Sequence, residues 1–310
     1  MASTKSRLIR LLSGTRTLVG DIPAYDTAAP LLVKDLTVRR LEGDYQAQDF
    51  VTGFEGAQGD RLYNTSMGLD FTIDAALPEA GSAPLFGELL KACGMTETLV
   101  AVTSASYSLT PEGTPKGEVA LQYIDTLTSQ VTEKARGALT FTAETKKPPM
   151  FGFKFMGEHF DGQPTVVTAQ DFSTWPDAPE CSPRNMTAFT VNGTELCLQS
   201  FTFTDGRAPT RAKFMNCDDT DITGRNVTGR MVVEMVTAAT IDLMGLCKST
   251  AKQSMVWEIS NGAGRALRVA APAVQLKYGG EQDINGEMGI AIDLVFTFDQ
   301  GNDEFAISFS

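Results

Sequence analysis

Apolar and polar residues alternate along most of this chain, the period expected of strands with one face buried and one wet. Leu36 and Val38, Met67 through Ile73, Leu139 and Phe141, and Phe151, Phe153 and Phe155 follow it in the first half. Phe201 and Phe203, Met231 through Met235, and Ile290 through Phe298 follow it in the second. Alternation of this kind points to antiparallel sheets, since parallel strands read as continuous apolar runs. Asn192-Gly193, between MTAFTV and TELCLQSFTF, predicts a two-residue hairpin, because both central residues of a type I′ turn need positive φ. Helical spacing occurs twice. SAPLFGELLKACG places Leu85, Phe86, Leu89, Leu90 and Cys93 on one face, with Ser82 as a cap and Gly94 as a stop. ATIDLMGLCK does the same more briefly with Ile241, Met244 and Cys247. The opening KSRLIRLLSG reads equally as helix or strand.

These segments recur in one order. VKDLTV matches LQSFTF, MGLDFTI matches RMVVEM, helix matches helix, and FGFKFMG matches IAIDLVF. The offset drifts from about 165 to about 139 residues, as shorter loops in a second copy would make it. A long polar connection follows the first strand of each set, at 39–63 and 204–225. Between Phe160 and Arg184 the alternation stops, and Pro164, Pro176, Pro179 and Pro183 appear with Trp175, as in a linker laid over a surface. The expected organisation is an N-terminal arm (1–30), a first β domain (31–160), a linker (161–184) and a second β domain (185–310). The fold class is mainly β, two tandem sandwich-like domains each with a short flanking α-helix. Coincidence between two β-rich halves is the competing account.

Composition limits the function. The 310 residues are 42% hydrophobic and 21% charged, enough apolar material for sizeable cores. No apolar run approaches the roughly 20 residues that cross a bilayer, and the start lacks the apolar core of a secretory signal, so a cytosolic chain without membrane association is expected. A net charge of −12 disfavours gripping nucleic acid through its phosphates. The charge is uneven: Lys5, Arg7, Arg10 and Arg16 precede the first acid, Asp21, giving +4 in the first twenty residues and −16 in the rest. Such a start fits a transit peptide, an arm docked on an acidic neighbour, or a solvated terminus. Cys93, Cys181, Cys197, Cys217 and Cys247 contain no CxxC pair and read as reduced, buried thiols.

Catalytic patterns are scarce. His159 is the sole histidine, and the nearest cysteines are sixteen residues apart, so neither a paired-histidine site nor a zinc cluster is expected. DTDITG fits the start of a calcium loop through Asp219, Asp221, Thr223 and Gly224, but the twelfth position, which needs a bidentate carboxylate, is Arg230. Ser249 and Lys252 in STAK match S-x-x-K without its companion motifs. Sequons at Asn64, Asn185, Asn192 and Asn226 read as turns and strand starts. No enzyme activity, cofactor or metal is expected. A carbohydrate-binding module, a glycosidase or another soluble two-domain binding protein is the rival, though Trp175 and Trp257 supply a poor aromatic platform.

LLVKDLTVRRLEGDY, APLFGELLKACGM, ARGALTFTAETKKPPMFGFKFMG and GNDEFAISF in combination resemble the major tail tube proteins of long, non-contractile-tailed bacteriophages, in the lineage with two tandem tube domains. The resemblance implies β-sandwich domains joined into rings with one inner barrel, and rings stacked into a tube through which the genome leaves. It implies a virion protein assembled in the host cytoplasm, with further copies of itself, a tape measure, a tail terminator and distal tail proteins as partners. DNA would pass through the lumen without specific binding. If each domain gives four barrel strands, six domains make a bore of about 37 Å at the usual strand spacing, so a trimeric, pseudo-hexameric ring is expected. A hexamer lined by one half of each chain is the competitor. Asp70, Thr72, Asp74 and Glu234, opposite the apolar face of their strands, are candidate lumen residues whose charge would repel phosphate. Arg39, Arg40, Glu42, Asp60, Arg207, Arg211, Asp218 and Asp219, in the two long connections, are candidate ring-stacking residues.

Overall fold

The computed structural model describes residues 7–19, 22–126, 128–164, 169–262, 264–284 and 286–310. In chain order the first half forms β1 (Leu8–Val19), β2 (Ile22–Leu31), β3 (Lys34–Ala47), β4 (Asp60–Asp74), α1 (Gly87–Ala92), β5 (Met95–Val100), β6 (Ser104–Leu109), β7 (Val119–Ile124), β8 (Thr128–Glu144) and β9 (Met150–Pro164). The second half forms β10 (Met186–Val191), β11 (Thr194–Glu195), β12 (Leu198–Thr204), β13 (Ala208–Lys213), β14 (Asp218–Thr223), β15 (Thr228–Glu234), α2 (Leu243–Ser249), β16 (Lys252–Ser260), β17 (Ala266–Ile284), β18 (Glu287–Phe296) and β19 (Ala306–Phe309). Every pairing is antiparallel, as the alternation requires. Asn192 and Gly193 take positive φ, 51° and 75°, at the predicted hairpin turn.

Eight strands lie side by side in the order β3-β4-β9-β8-β12-β15-β18-β17. The first four and the last four share one internal order: first, second, fourth, third. Val38, Leu69, Phe155 and Gly137 form one row across the first four strands. Phe203, Gly229, Leu294 and Leu276 form one across the last four. The two sets join where β8 meets β12, with Thr140 opposite Thr204, Phe141 opposite Phe203, Thr142 opposite Thr202, Ala143 opposite Phe201 and Glu144 opposite Ser200.

A second layer covers the apolar side of this sheet. Strands β8 and β17 are long enough to serve both layers: the N-terminal part of β8 pairs with β7, and that of β17 with β16 and β19. A register shift between Glu133 and Arg136, with Lys134 at φ 48°, marks the irregularity in β8. Between the layers one continuous apolar cluster contains residues of both halves. Phe141 sits at its centre, its ring 5.2 Å from Phe151, 5.4 Å from Phe203, and 5.0 Å edge-on to Trp257. The halves therefore share a core instead of each closing around its own.

Several elements differ from the sequence reading. The opening segment is strand: β1 pairs with β2 along its length and with β7 through Leu8–Leu12. Lys5 and Asp21 lie outside the described residues. The long connections are not loops. Strands β3 and β4 run into the first, leaving 48–59 outside the ladder, and β13 and β14 form a separate two-stranded sheet in the second. Bulges between Arg39 and Asp44 break the period there and hide the strand. Both helices are shorter than their apolar pattern, and Leu85 and Met244 are exposed. Ser82 does not cap α1; Asp242 does cap α2, accepting from the Gly245 amide at 2.8 Å. Proline-rich 169–185 has no strand, yet Trp175 packs on the core and donates Nε1 to the Pro30 carbonyl at 3.3 Å.

Because Phe141 touches both halves, Phe141→Ala should cost about 3–5 kcal/mol and lower a single unfolding transition in urea. Two separate transitions, one of them unmoved, would refute the shared core.

Candidate functional site

Burial of Met67, Leu69, Phe71 and Ile73 turns Asp70, Thr72 and Asp74 to the opposite face of β4. Cross-strand register carries that face over all eight strands, because directly opposed residues share a side. Threonine dominates it: Thr37, Thr72, Thr140, Thr142, Thr202, Thr204 and Thr228 all lie there. Glu234 lies there too, exposed and opposite Gly289. The acids of β4 are not left as bare negative charge. Arg39 binds Asp70 through two bonds of 2.5 and 3.0 Å, and Lys34 binds Asp74 at 2.6 Å. Lys154 stands opposite Asp70, while Arg230 and Lys277 flank Asp293. The face is a lattice of hydroxyls and mostly paired charges, so its cations offset the negative charge expected of Asp70 and Asp74.

The two long connections rise from the same end of their respective four-strand sets. Of the charged residues predicted there, Arg40, Arg207 and Asp219 hold the hairpins to the body of the chain, and Arg39 with Glu42 and Arg211 with Asp218 brace the hairpins internally. Arg39 also meets Glu42 at 3.1 Å, and Arg40 binds Asp125 and lies 5.3 Å over the Tyr123 ring. Arg211 binds Asp218 at 2.5 Å, and Asp219 binds Arg136 at 3.0 Å. Arg207 is buried and donates to the Cys93 carbonyl at the end of α1. Asp60, at the start of β4, is exposed. What reaches outward instead is apolar: Phe50, Val51 and Phe54 at one tip, Phe214 and Met215 at the other. Sequence reasoning passed over these tips, although Gly53, Gly56 and Gly59 around two phenylalanines are the signature of an exposed turn.

At the opposite end lies a cavity of about 310 Å³ between the end of β8, residues 181–189 and β11–β12. Trp257 and Ser182 contribute to its lining, and the Trp257 Nε1 and Ser182 Oγ atoms are buried without a hydrogen-bond partner.

Two ionic knots, each built on a buried carboxylate, fix the layers, and no periodicity announced either. Arg16 grips Glu133 through bonds of 2.7 and 2.9 Å while the Tyr25 hydroxyl donates to the same carboxylate, tying the β1–β2 hairpin to the irregular part of β8. Burial first, and Glu133 second, raise the Tyr25 phenol above its usual range. Asp205 accepts from the Arg207 amide at 3.1 Å and is almost wholly buried. Burial pushes its carboxyl up to about 6 despite the Arg207 charge. Burial lowers Arg207 in turn. Beside them Arg225 binds Glu304 at 2.8 Å and Asn302 at 2.9 Å.

The remaining motifs dissolve into structure. The would-be calcium loop is strand β14, with Asp221 3.3 Å from Lys116. His159 contacts Asp161 at 2.9 Å. Lys252 donates to the Phe298 carbonyl, and Ser249 to that of Leu246. All five cysteines are free; Cys93 and Cys181 are buried as expected, but Cys197 and Cys217 are exposed. No group of three or more metal-binding side chains occurs among the described residues, and no helix there is long and apolar enough to cross a membrane.

A family model described as phage tail tube protein matches residues 8–299. No curated protein matches the chain.

The raised Asp205 carboxyl sets a pH dependence. Between about pH 4 and 6 the folded chain holds a proton that the unfolded chain has released, so this group's stabilisation is complete below pH 4 and is lost as pH rises through 6. Relative to Asp205→Asn, wild-type unfolding free energy should fall by about 3 kcal/mol from pH 4 to pH 7. A pH-independent difference in denaturant melts would overturn the assignment.

Proposed function

The chain belongs to the phage tail tube protein family, and from that premise we propose that it self-assembles into stacked rings whose bore carries the phage genome during ejection. The observation that supports this most is the eight-stranded sheet, apolar on one side, threonine-rich and charge-balanced on the other, and open at both edges. The threonine face, with Asp70, Thr72, Asp74 and Glu234, lines the lumen. Paired charges and hydroxyls offer DNA no run of cations to grip, so no counterions are released and the duplex slides. The rival reading as a carbohydrate-binding module finds no support, since Trp257 is wholly buried and Trp175 packs on the core.

Strand counting supports a particular ring size. Three chains bring 24 strands, and at roughly 4.8 Å each the circumference is about 115 Å and the backbone diameter about 37 Å, before tilt widens it. That admits a duplex about 20 Å across with side chains and water around it. Two chains give about 24 Å, which inward side chains close; six give about 73 Å. The ring is a trimer with approximate sixfold symmetry, each half supplying one wall segment, and tape measure, terminator and distal tail proteins occupy its bore and ends. Rings stack through the two hairpin connections, whose apolar tips face the cavity-bearing end of the next ring.

Cryo-electron microscopy of assembled tubes tests the ring: three chains with β4 and β15 both facing the bore are expected, and six chains per ring would refute it. Replacing residues 50–57 by a short turn should leave soluble protein that forms no tubes by light scattering. Tubes of normal length would sink the stacking role.

A further inference from the structure

Both edges of the eight-stranded sheet are open among the described residues. The outer edge of β3 has no partner, and β17 beyond Gln275 pairs only with β18. Inside the chain the equivalent edges are already joined, at β8 and β12. The rows through Val38 and through Phe203 place Thr37 at the position of Thr202 and Arg39 at that of Thr204. On the other edge, Leu139 and Tyr278 occupy matching rows, and the register shift after Tyr278 inserts one residue, so Gly280 matches Thr140 and Gln282 matches Thr142.

We propose that β3 of one chain adds to β17 of the next in the register that β12 already adopts on β8, with Thr37 opposite Gln282 and Arg39 opposite Gly280. This rests on the tube reading above and specifies its lateral seam. Three further features agree with it. Thr37 and Gln282 both lie on the threonine side of the sheet, so the seam keeps every side chain on its proper face; a one-residue slip would reverse them. Thr37 and Gln282 are both exposed in the free chain. The charges in the paired stretch are of opposite sign: over 34–40 Lys34, Arg39 and Arg40 outnumber Asp35, with Glu42 and Asp44 lying beyond it in the bulged part of β3, whereas Glu281, Asp283 and Glu287 come without a base at the end of β17 and start of β18. Pairing of β3 with β3, or β17 with β17, would oppose like charges, so the contact is head-to-tail and closes into a ring.

The test is disulfide trapping in tubes grown from concentrated protein, in a C197S/C217S background that removes the exposed native thiols. Thr37→Cys with Gln282→Cys should convert most of the protein to covalent multimers ending at a closed trimer on a non-reducing gel. Thr37→Cys with Ile284→Cys, two residues out of register on the same face, should react at least ten-fold more slowly. Faster trapping of the shifted pair, or equal trapping by either single variant, overturns the register while leaving the tubes standing. Parent protein that stays monomeric even when concentrated overturns the tube reading and the seam together. Should the cysteine variants alone fail to assemble, amide exchange on unmodified protein decides: residues 276–284 should slow ten-fold or more on assembly, and unchanged exchange refutes the seam.

Discussion

Five cross-strand pairs between 140–144 and 200–204 hold this molecule together as one object. They make a single eight-stranded sheet of two four-stranded sets, and they bring Phe141, Phe201 and Phe203 into one aromatic cluster under it. The second layer, the helices and the ionic knots are arranged around that seam. Break it and each set would expose an apolar edge; keep it and the polar face runs uninterrupted from β3 to β17.

The buried charges complement the seam. Glu133 with Arg16 and Tyr25 anchors the N-terminal hairpin, and Asp205 with Arg207, near Arg225 and Glu304, anchors the β13–β14 hairpin. Buried carboxylates are costly unless paired, so each knot tolerates few alternative geometries. They act as locators: they fix where a projecting hairpin leaves the body, and leave its tip free to meet something else.

Legibility followed physics. Strands with one wet face, such as 67–73 and 201–203, announced themselves through period two, and the Asn192-Gly193 turn through its φ requirement. Strands interrupted by bulges did not: 39–47 looked like a polar loop, and β17 was hidden by Pro272 and by residues buried where it passes between layers. The face carrying Asp70, Thr72, Asp74 and Glu234 could be read from alternation alone. Its cations could not, because Lys34, Arg39 and Lys154 reach it from neighbouring strands. Nor could the inward roles of Arg207 and Arg211, since a charged residue in a polar stretch reads as solvated until its partner is placed. The apolar tips at Phe50 and Phe214 were visible as letters but carried no period.

A seam made inside one chain also changes how a ring forms in time. In the proposed trimer, half of the six sheet-to-sheet joints are closed during folding, at the effective concentration of a tethered partner. Only three remain to be made by encounter, so the nucleus of a ring is at most a third-order event where single-domain subunits would require a sixth-order one. Its appearance therefore depends far less steeply on how much protein has accumulated, and tube growth can begin while the chain is still scarce.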